Sequence, residues 1–547
     1  MAASRLSNQE KLKRLIYVGN LTPKYFCGGP EKYYPDTERK MELINEMLAS
    51  NHEDFLKVIV SASEDKLLPY RSQLFNLLGA ALNAEAATAD IKHEICSYVL
   101  NICKSDEDFF NFIKFTSSVR LDKSKLSTTV RKLIARYYIK KSALELAHSF
   151  VACKSWHGWT HKDLIKLVHI KPDTPLKNMV INYILLKKLN DKDNEDEKKI
   201  IDIMQKSEIL RKTKDHKVAV PLISELKATI NQVEPSLRKS AEVWNSVLLN
   251  MTISDILQAL PKLYKLGFLK KDAPTQTIVN ENLTNSLKIK ASHIHPIEVF
   301  IHMKNFEKGG KPLDPKLLEH LIAEKKLSEE EIQKLKSPRE AKCPLVLNNL
   351  QKCMNIACSN VQSFGKRYLI TIDTTDHMDT PCLFNKNITA IEAAVAFAWF
   401  LLRVEKDVTV AVFKEKEIAV VQLDKKGHLY EHVQKLRENK SKYVLLAAPI
   451  EWATFQKKHV DIFLTFIHHK DFYAAIPKEI REKMTKPEHA LQKYRKKVNL
   501  QNSKLINFCL SSPNVVCGDG SPNILDVAGL DYGTPRAVEA FCRGNFC

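Results

Sequence analysis

The sequence predicts a mostly α-helical region followed by a doubly wound α/β domain. Apolar residues recur at helical spacing, one stripe after another, from the N-terminus to about residue 335. Beyond about residue 364, short β-rich runs alternate with helical segments, which is typical of α/β domains. Only 15 of the 547 residues are glycine, as expected for a long run of helices, because a glycine inside a helix costs roughly 1 kcal/mol relative to alanine. We therefore place a helical-repeat region at residues 1–363 and an α/β domain at residues 364–547.

The helical region is predicted to consist of successive amphipathic helices separated by prolines. Helices are predicted at residues 70–82, 91–102, 127–152, 176–189, 242–249 and 296–306. Helix breaks are predicted at Pro69, Pro172, Pro221, Pro235, Pro261 and Pro296. This spacing fits stacked helix pairs, as in solenoids with a repeat of roughly 40–47 residues. Two polar segments interrupt it: residues 191–217 predict an exposed loop leading into a solvated helix, and residues 327–344 predict a linker or surface insertion.

The α/β domain is predicted from apolar runs of strand length that flank a strongly apolar helix at residues 388–404. Strands are predicted at residues 368–373, 408–413, 418–423, 443–448, 461–467 and 505–510. Their alternation with helices indicates a doubly wound sheet.

Charge and cysteine usage restrict the class of partner. The formal net charge is +20, which favours an anionic partner, most often nucleic acid, although a basic soluble protein without such a ligand has the same charge. The twelve cysteines show no zinc-binding spacing and indicate reduced intracellular thiols.

The longest apolar stretch, residues 393–402, is far shorter than the roughly 20 residues that span a bilayer. The N-terminus has no apolar signal core. We expect a soluble protein of the cytoplasm and nucleus with no membrane partner.

Sequence signals for catalysis are weak. The phosphate-binding loop motif and the Gly-x-Ser-x-Gly nucleophile elbow are both missing from the sequence. Gly518 and Gly520 fall short of a dinucleotide-binding fingerprint. We therefore expect a protein that is not an enzyme and that has no cofactor.

The richest cluster of polar side chains lies in residues 154–172. Thr160 and Asp163 form a helix-start signature, after which Lys162 and Lys166 share one helix face. The same segment holds His161, His169, Trp156 and Trp159. Lysines that neutralise phosphates, beside aromatic rings and imidazoles that contact bases, are typical of RNA recognition. The alternative is structural, with the tryptophans in the core and the lysines on a solvated face.

A second basic segment begins at Arg131 and Lys132. Lys132, Arg136 and Lys140 follow at intervals of four residues, so they form one polar stripe of a helix. Such a stripe is usually a solvated face. His157 and His161 have a spacing that could suit a metal, but no Glu completes the His-Glu-x-x-His motif, and we expect no zinc site there.

The segment around residues 159–172 resembles the TROVE-domain family of Ro ribonucleoproteins, and the resemblance extends over most of the chain. Further matching segments are residues 25–29, 130–137, 242–244, 294–296, 365–369 and 493–497. The resemblance implies a ring of HEAT-like helical repeats followed by a von Willebrand factor A-like domain. It also implies binding of small noncoding Y RNAs on the outer basic surface of the ring and of 3′ ends of misfolded RNAs in its central hole. By this resemblance, Lys162 and Lys166 contact RNA, and His161, His169, Arg131 and Lys132 are weaker candidates.

The chain departs from the family at the metal site of the A-like domain. The family pattern there is Asp-x-Ser-x-Ser, with a Thr and an Asp on two further loops, and these oxygen ligands suit a hard divalent cation. Here the matching positions are Asp373, Thr375, His377, Val444 and His468, so two histidines and a valine replace hydroxyl and carboxyl groups. We therefore predict a degenerate site that has lost Mg²⁺, and an A-like domain that serves as a structural or metal-independent protein-interaction module.

Two functions from different classes remain open from the sequence. The first is a non-catalytic RNA-binding ribonucleoprotein scaffold. The second is a protein-interaction scaffold that has lost RNA and metal binding, because the concave face of a solenoid holds peptides as readily as RNA.

Overall fold

A computed structural model describes residues 6–28, 37–118, 126–152, 155–186, 195–307, 343–469, 475–515 and 521–546, together with four isolated positions between 322 and 332. The chain divides into two compact units. The helical unit comprises residues 6–16 and 36–251, and the second unit comprises residues 1–5, 17–35 and 252–547. These bounds differ from the domains expected from the sequence, and the boundary at 363/364 stays a prediction.

The helical unit consists of twelve helices within the described residues. They are α1 (Asn8–Val18), α2 (Thr37–Glu64), α3 (Ser72–Leu82), α4 (Ala89–Ile102), α5 (Asp106–Ser118), α6 (Thr128–Lys140), α7 (Ala143–Ala152), α8 (His161–Val168), α9 (Pro175–Leu186), α10 (Glu195–Lys212), α11 (His216–Leu226) and α12 (Ala241–Asn250). α1 runs past the limit of this unit by two residues. Side-chain caps explain several of the starts: the hydroxyls of Thr88, Ser127 and Ser240 each accept a hydrogen bond from a first-turn N–H group.

The predicted helix at residues 127–152 is two helices. The chain leaves α6 at Lys141, which has extended backbone, and α7 begins at Ala143. The apolar stripe continued across this break because both helices bury it, with Tyr137 and Tyr138 on α6 and Leu146 and Phe150 on α7.

Two of the predicted proline breaks are wrong. Pro221 lies inside α11, and Pro261 lies inside helix α13 (Ile253–Lys265). A proline inside a helix costs about 3 kcal/mol, because it removes a hydrogen bond and its ring meets the preceding turn. In α13 the buried residues Leu257, Leu260 and Leu263 lie on both sides of the proline, and their burial outweighs this cost.

The helix predicted to be solvated after the charged segment is only partly so. α10 buries Ile200, Met204 and Leu210 on one face, whereas its other face carries exposed charges. The head of the charged segment, residues 187–194, lies outside the described residues, as does most of the predicted linker at 327–344.

The second unit contains further helices and all the strands. Its helices are α13, α14 (Pro274–Thr284), α15 (Ser286–Ser292), α16 (Pro296–Glu307), α17 (Pro344–Ala357), α18 (Ala390–Val404), α19 (Leu429–Arg437), α20 (Ala448–Phe455), α21 (Lys478–Arg481), α22 (Pro487–Val498) and α23 (Thr534–Arg543). Its strands are β1 (Lys24–Phe26), β2 (Arg367–Ile372), β3 (Pro381–Cys382), β4 (Asn385–Thr389), β5 (Asp407–Lys414), β6 (Glu417–Val420), β7 (Ile462–Ile467), β8 (Lys504–Cys509) and β9 (Ile524–Ala528).

Seven of these strands form one sheet in the order β1-β9-β8-β7-β2-β5-β6. All neighbouring pairs are parallel except β5 with β6. β3 and β4 form a separate antiparallel hairpin. The fold class is therefore confirmed: a helical N-terminal region is followed by an α/β domain of the A-like type.

The predicted strand at residues 443–448 is wrong. These residues form no strand, and α20 begins at Ala448 with Pro449 at its second position. The apolar run arises because Tyr443, Val444 and Leu446 pack into the core beneath the sheet rather than into a ladder of strands. The sequence prediction also missed the short strands β1, β3 and β4, and β9 near the C-terminus.

β1 comes from the N-terminal part of the chain and completes the edge of the sheet beside β9. The Tyr25 hydroxyl donates to Asp531 at 2.9 Å, and the Gly28 N–H donates to the same carboxylate at 2.8 Å. Gly28 has a φ of +85°, and a Cβ atom there would lie 2.5 Å from the Phe384 ring. Only glycine fits this position, because both the backbone angle and the close approach exclude a side chain.

No helix among the described residues is long and apolar enough to cross a bilayer.

Candidate nucleic-acid interface

Helix α8 carries the central candidates, and its start is fixed by the predicted capping box. The Thr160 hydroxyl accepts from the Asp163 N–H at 3.1 Å, and the Thr160 N–H donates to the Asp163 carboxylate at 3.0 Å. The helix is only eight residues long and ends at His169, which adopts the left-handed conformation with a φ of +48°. Because a helix this short has little stability of its own, its position depends on the cap and on tertiary packing.

His161 supplies much of that packing. Its side chain is 4% exposed, and its Nδ1 atom lies 2.9 Å from the Tyr138 hydroxyl on α6. The rings of Phe110 on α5 and Phe150 on α7 stand edge-on to the imidazole, with centroids 5.0 and 5.1 Å away. Burial lowers the pKa of His161 to about 4, so the ring is neutral at physiological pH. The predicted RNA contact of His161 stays a prediction; what the contacts show is a residue that packs α8 against α5, α6 and α7 from inside the core.

A partly buried ion pair lies beside this histidine. Lys141 and the Tyr137 hydroxyl both donate to the Asp106 carboxylate, and the Lys141 ammonium also donates to the Ser149 hydroxyl at 2.7 Å. Burial alone would raise the pKa of Asp106, but the hydrogen bonds from Lys141 and Tyr137 outweigh it and lower the pKa below its ordinary value. This pair links the start of α5 to the end of α6. The Lys141 ammonium is therefore already bound by groups of the protein.

Lys162 and Lys166 lie on a more exposed side of α8 than His161. Lys166 is exposed and Lys162 half-buried, and neither has an ion pair or a side-chain hydrogen bond with any described residue. His169 is exposed at the end of the same face. These three side chains share one side of α8, because their positions differ by three to seven residues.

The stripe on α6 is exposed along its whole length. Arg131, Lys132, Arg136 and Lys140 all reach the surface, and none has an ion pair with a described residue. Arg136 and Lys140 extend the predicted contacts Arg131 and Lys132 along the helix, and their four-residue spacing is the sequence signal that groups them on this face. α6 packs against α8, so the two basic faces are carried by neighbouring helices.

The two tryptophans of the cluster flank a tight turn that leads into α8. Trp156 and Trp159 exchange two backbone hydrogen bonds of 2.9 Å, and His157 and Gly158 between them both have positive φ. Positive φ at both central residues is the geometry of a type I′ hairpin turn. Both tryptophans are half-buried, and the ring centroids of Trp156 and Phe110 lie 5.4 Å apart. Part of each indole therefore stays exposed to solvent, a few residues before Lys162 in the sequence.

The fold and this surface define a class: a protein with a helical N-terminal region and an α/β domain, whose basic faces on α6 and α8 carry cations without ion-pair partners among the described residues. Comparisons with known proteins point to the same class. The family described as the Ro60 vWA domain matches residues 367–542. A crystal structure of the Ro (Rsr) protein of Deinococcus radiodurans superposes with a TM-score of 0.80, at 20% sequence identity, and covers 98% of this chain and 100% of that one.

Two curated relatives match along nearly the whole chain. The RNA-binding protein RO60 of Deinococcus radiodurans is 21% identical over 99% of this chain and 93% of its own length. The RNA-binding protein RO60 of Caenorhabditis elegans is 19% identical over 99% of this chain and 88% of its own length. The predicted resemblance to Ro proteins is therefore confirmed, and residues 367–542 are a vWA domain of the Ro60 type.

Proposed function

We propose that this protein is a non-catalytic RNA-binding ribonucleoprotein scaffold of the cytoplasm and nucleus. Small noncoding RNA of the Y type binds the basic faces of α6 and α8, and 3′ ends of misfolded noncoding RNA are a second ligand, with no membrane partner. The observation that carries the proposal is the set of unpaired cations on two packed helices. Full-length similarity to proteins named RNA-binding supports it.

The distinction between paired and unpaired lysines explains why this surface suits a polyanion. Lys141 and Lys177 have partners in Asp106 and Asp173, and would lose an ion pair on meeting a phosphate. Lys162, Lys166, Arg131 and Lys132 have no such pair with any residue that the structure describes, so their charge is available to neutralise phosphates and release counterions.

Aromatic groups at the same place suit unpaired bases. Trp159 is half-buried and precedes α8, and His169 is exposed at its other end. A base stacks on any such π face whatever its identity, so recognition depends on shape and single-stranded segments more than on sequence. Duplex RNA without a single-stranded end is then the weaker ligand.

The test removes the two α8 lysines. Lys162→Ala with Lys166→Ala should weaken binding of a hairpin RNA with a single-stranded 3′ tail about tenfold, or roughly 1.4 kcal/mol. The slope of log affinity against log salt should fall in magnitude by about 1.4, because two phosphate contacts are lost. Fluorescence anisotropy over a salt series measures both, and the thermal unfolding midpoint should not change.

The matched control is Lys425→Ala with Lys426→Ala. Both lysines are exposed and the double variant loses the same net charge, but it lies in the α/β domain. Equal weakening by the two double variants would mean that only overall charge matters, and would reject α8 as the site.

The alternative function, a protein-interaction scaffold without RNA, is one outcome of a simpler measurement. Protein purified from its own cells at low salt should carry RNA, with a high ratio of absorbance at 260 nm to that at 280 nm. Sequencing the RNA crosslinked in cells then tests the Y-type assignment. A preparation free of nucleic acid, with no affinity for the tailed hairpin, would favour the alternative.

A further inference from the structure

Asp373 keeps the first position of the degenerate metal site and has both carboxylate oxygens in use. It follows β2 and its side chain is fully buried. One oxygen accepts a hydrogen bond from the Thr375 N–H at 2.8 Å, and the other lies 3.2 Å from Nδ1 of His468. A carboxylate oxygen accepts and an imidazole N–H donates in a contact of this kind, so Nδ1 is assigned as the donor.

His468 is held in place from two sides. It follows β7, the neighbour of β2 in the sheet, and its carbonyl accepts from the Ser511 N–H at 2.8 Å. Its imidazole stacks on that of His377, with centroids 4.8 Å apart and planes inclined by 20°. The side chain of His468 is 15% exposed, so most of the ring lies within the protein against Asp373.

The residues present do not fit the divalent cation that A-type domains hold. A hard cation requires several oxygen ligands, and Mg²⁺ requires a near-octahedral set. Here His377 and His468 stack face to face instead of converging their nitrogens, and the Val444 position is a buried hydrocarbon. Among the described residues, no group of three or more His, Cys, Asp or Glu side chains is arranged to hold a metal ion.

We propose that the His468 imidazole is a built-in replacement for the cation: it donates to Asp373, stacks on His377 and closes the site, so that the A-like domain folds and functions without a divalent metal. A buried carboxylate without a cation would be costly unless other groups donate to it. The contact joins residues 95 positions apart, so it links the two neighbouring loops that a shared metal would otherwise link.

A double-mutant cycle on the full chain tests the contact. His468→Ala should lower the thermal unfolding midpoint, because it leaves the buried Asp373 with one donor fewer. In the background of Asp373→Asn, the same change should cost much less, because the contact is already weakened. His469→Ala removes a neighbouring imidazole and is the matched control. Equal losses from His468→Ala and His469→Ala, or strictly additive losses from Asp373→Asn and His468→Ala, would overturn the proposal.

A metal titration of the unmodified protein keeps the proposal testable if a variant does not fold. Mn²⁺ is the probe, and electron paramagnetic resonance counts the free ion. We expect no saturable binding in the micromolar range and no change of the unfolding midpoint with Mn²⁺ or a chelator. Micromolar binding that Asp373→Asn weakens about tenfold or more would show that the cation still occupies the site. Asp471, which lies outside the described residues, would then be the first candidate for the missing oxygen ligand.

Discussion

Each of the two units contains a cluster centred on a histidine, and the same kind of contact has a different consequence in each. His161 in the helical unit and His468 in the second unit both place Nδ1 against a buried oxygen, that of Tyr138 in one case and of Asp373 in the other. Beside His161, Asp106 and Lys141 are paired with each other, whereas Lys162 and Lys166 on the same helix as His161 have no ion pair within the part of the chain that the structure describes. Around His468 the ring meets the carboxylate of the site itself, which leaves that group no free oxygen.

The two histidines therefore have different roles: His161 supports a helix from the core, whereas His468 occupies a ligand site. A neutral histidine among aromatic rings holds α8 in place, and the proposed RNA contacts are made by the neighbouring lysines instead. A histidine bonded to the one acidic side chain that the family pattern keeps takes the place of a ligand. The burial of a histidine therefore does not by itself show whether a site binds a ligand or has lost it, because that depends on which group the imidazole contacts.

Removing the carboxylate from each cluster should give the largest contrast. Asp106→Ala leaves Lys141 charged and mostly buried, and should cost roughly 3 kcal/mol in the free energy of unfolding. Asp373→Ala removes the acceptor of two hydrogen bonds, from the Thr375 N–H and from His468, and should cost less, about 2 kcal/mol at roughly 1 kcal/mol per hydrogen bond. Urea unfolding measures both. Equal costs would break the comparison, because they would mean that both clusters depend on a charge that cannot be removed.

The second-largest expected effect is a loss of unfolding free energy in acid, through protonation of His161. Its folded pKa of about 4 lies below the ordinary value of 6.5, so the stability it contributes is present above pH 6.5 and is lost as the pH falls towards 4. Going from pH 7 to pH 5 should cost about 2 kcal/mol through this residue. His161→Phe should remove that part of the pH dependence in urea unfolding.

His302 provides the control in the second unit. Burial lowers its pKa to about 4 as well, and its ring stacks on Tyr532. His302→Phe should therefore remove a similar part of the acid sensitivity without changing RNA affinity. His161→Phe should lower RNA affinity, because it loosens α8. Unchanged affinity in both variants would show that His161 does not position the lysines.

The smallest expected effect compares two helix caps of the same type. Thr160 and Asp163 cap α8, and Thr389 and Glu392 form the equivalent capping box of α18. Thr160→Ala and Thr389→Ala should each cost about 1 kcal/mol of unfolding free energy. Only Thr160→Ala should weaken binding of the tailed hairpin RNA, because α8 carries Lys162 and Lys166. Weaker binding in both variants would instead point to a general loss of stability.

Much of the architecture could be predicted from local sequence. The 3.6-residue apolar stripes located α3, α4, α9 and α16 to within a few residues, and the capping box located the start of α8. The predictions failed where tertiary burial overrode a local signal. Pro221 and Pro261 stay inside helices whose apolar faces are buried, and residues 443–447 lie in the core without forming a strand.

The sequence by itself determined the two-part organisation and the basic stripes, because these depend only on residue type and spacing. The replacement of oxygen ligands at His377, Val444 and His468 is what the resemblance to the Ro family implies. Only the tertiary structure decided that His161 is buried while Lys162 is partly exposed and Lys166 is exposed, since one residue turns a helix by about 100° and the packing of α5 to α8 chooses which side is buried. It also decided that β1 joins the sheet beside β9 and that His468 meets Asp373. These contacts join distant parts of the chain, and no local pattern encodes which parts meet.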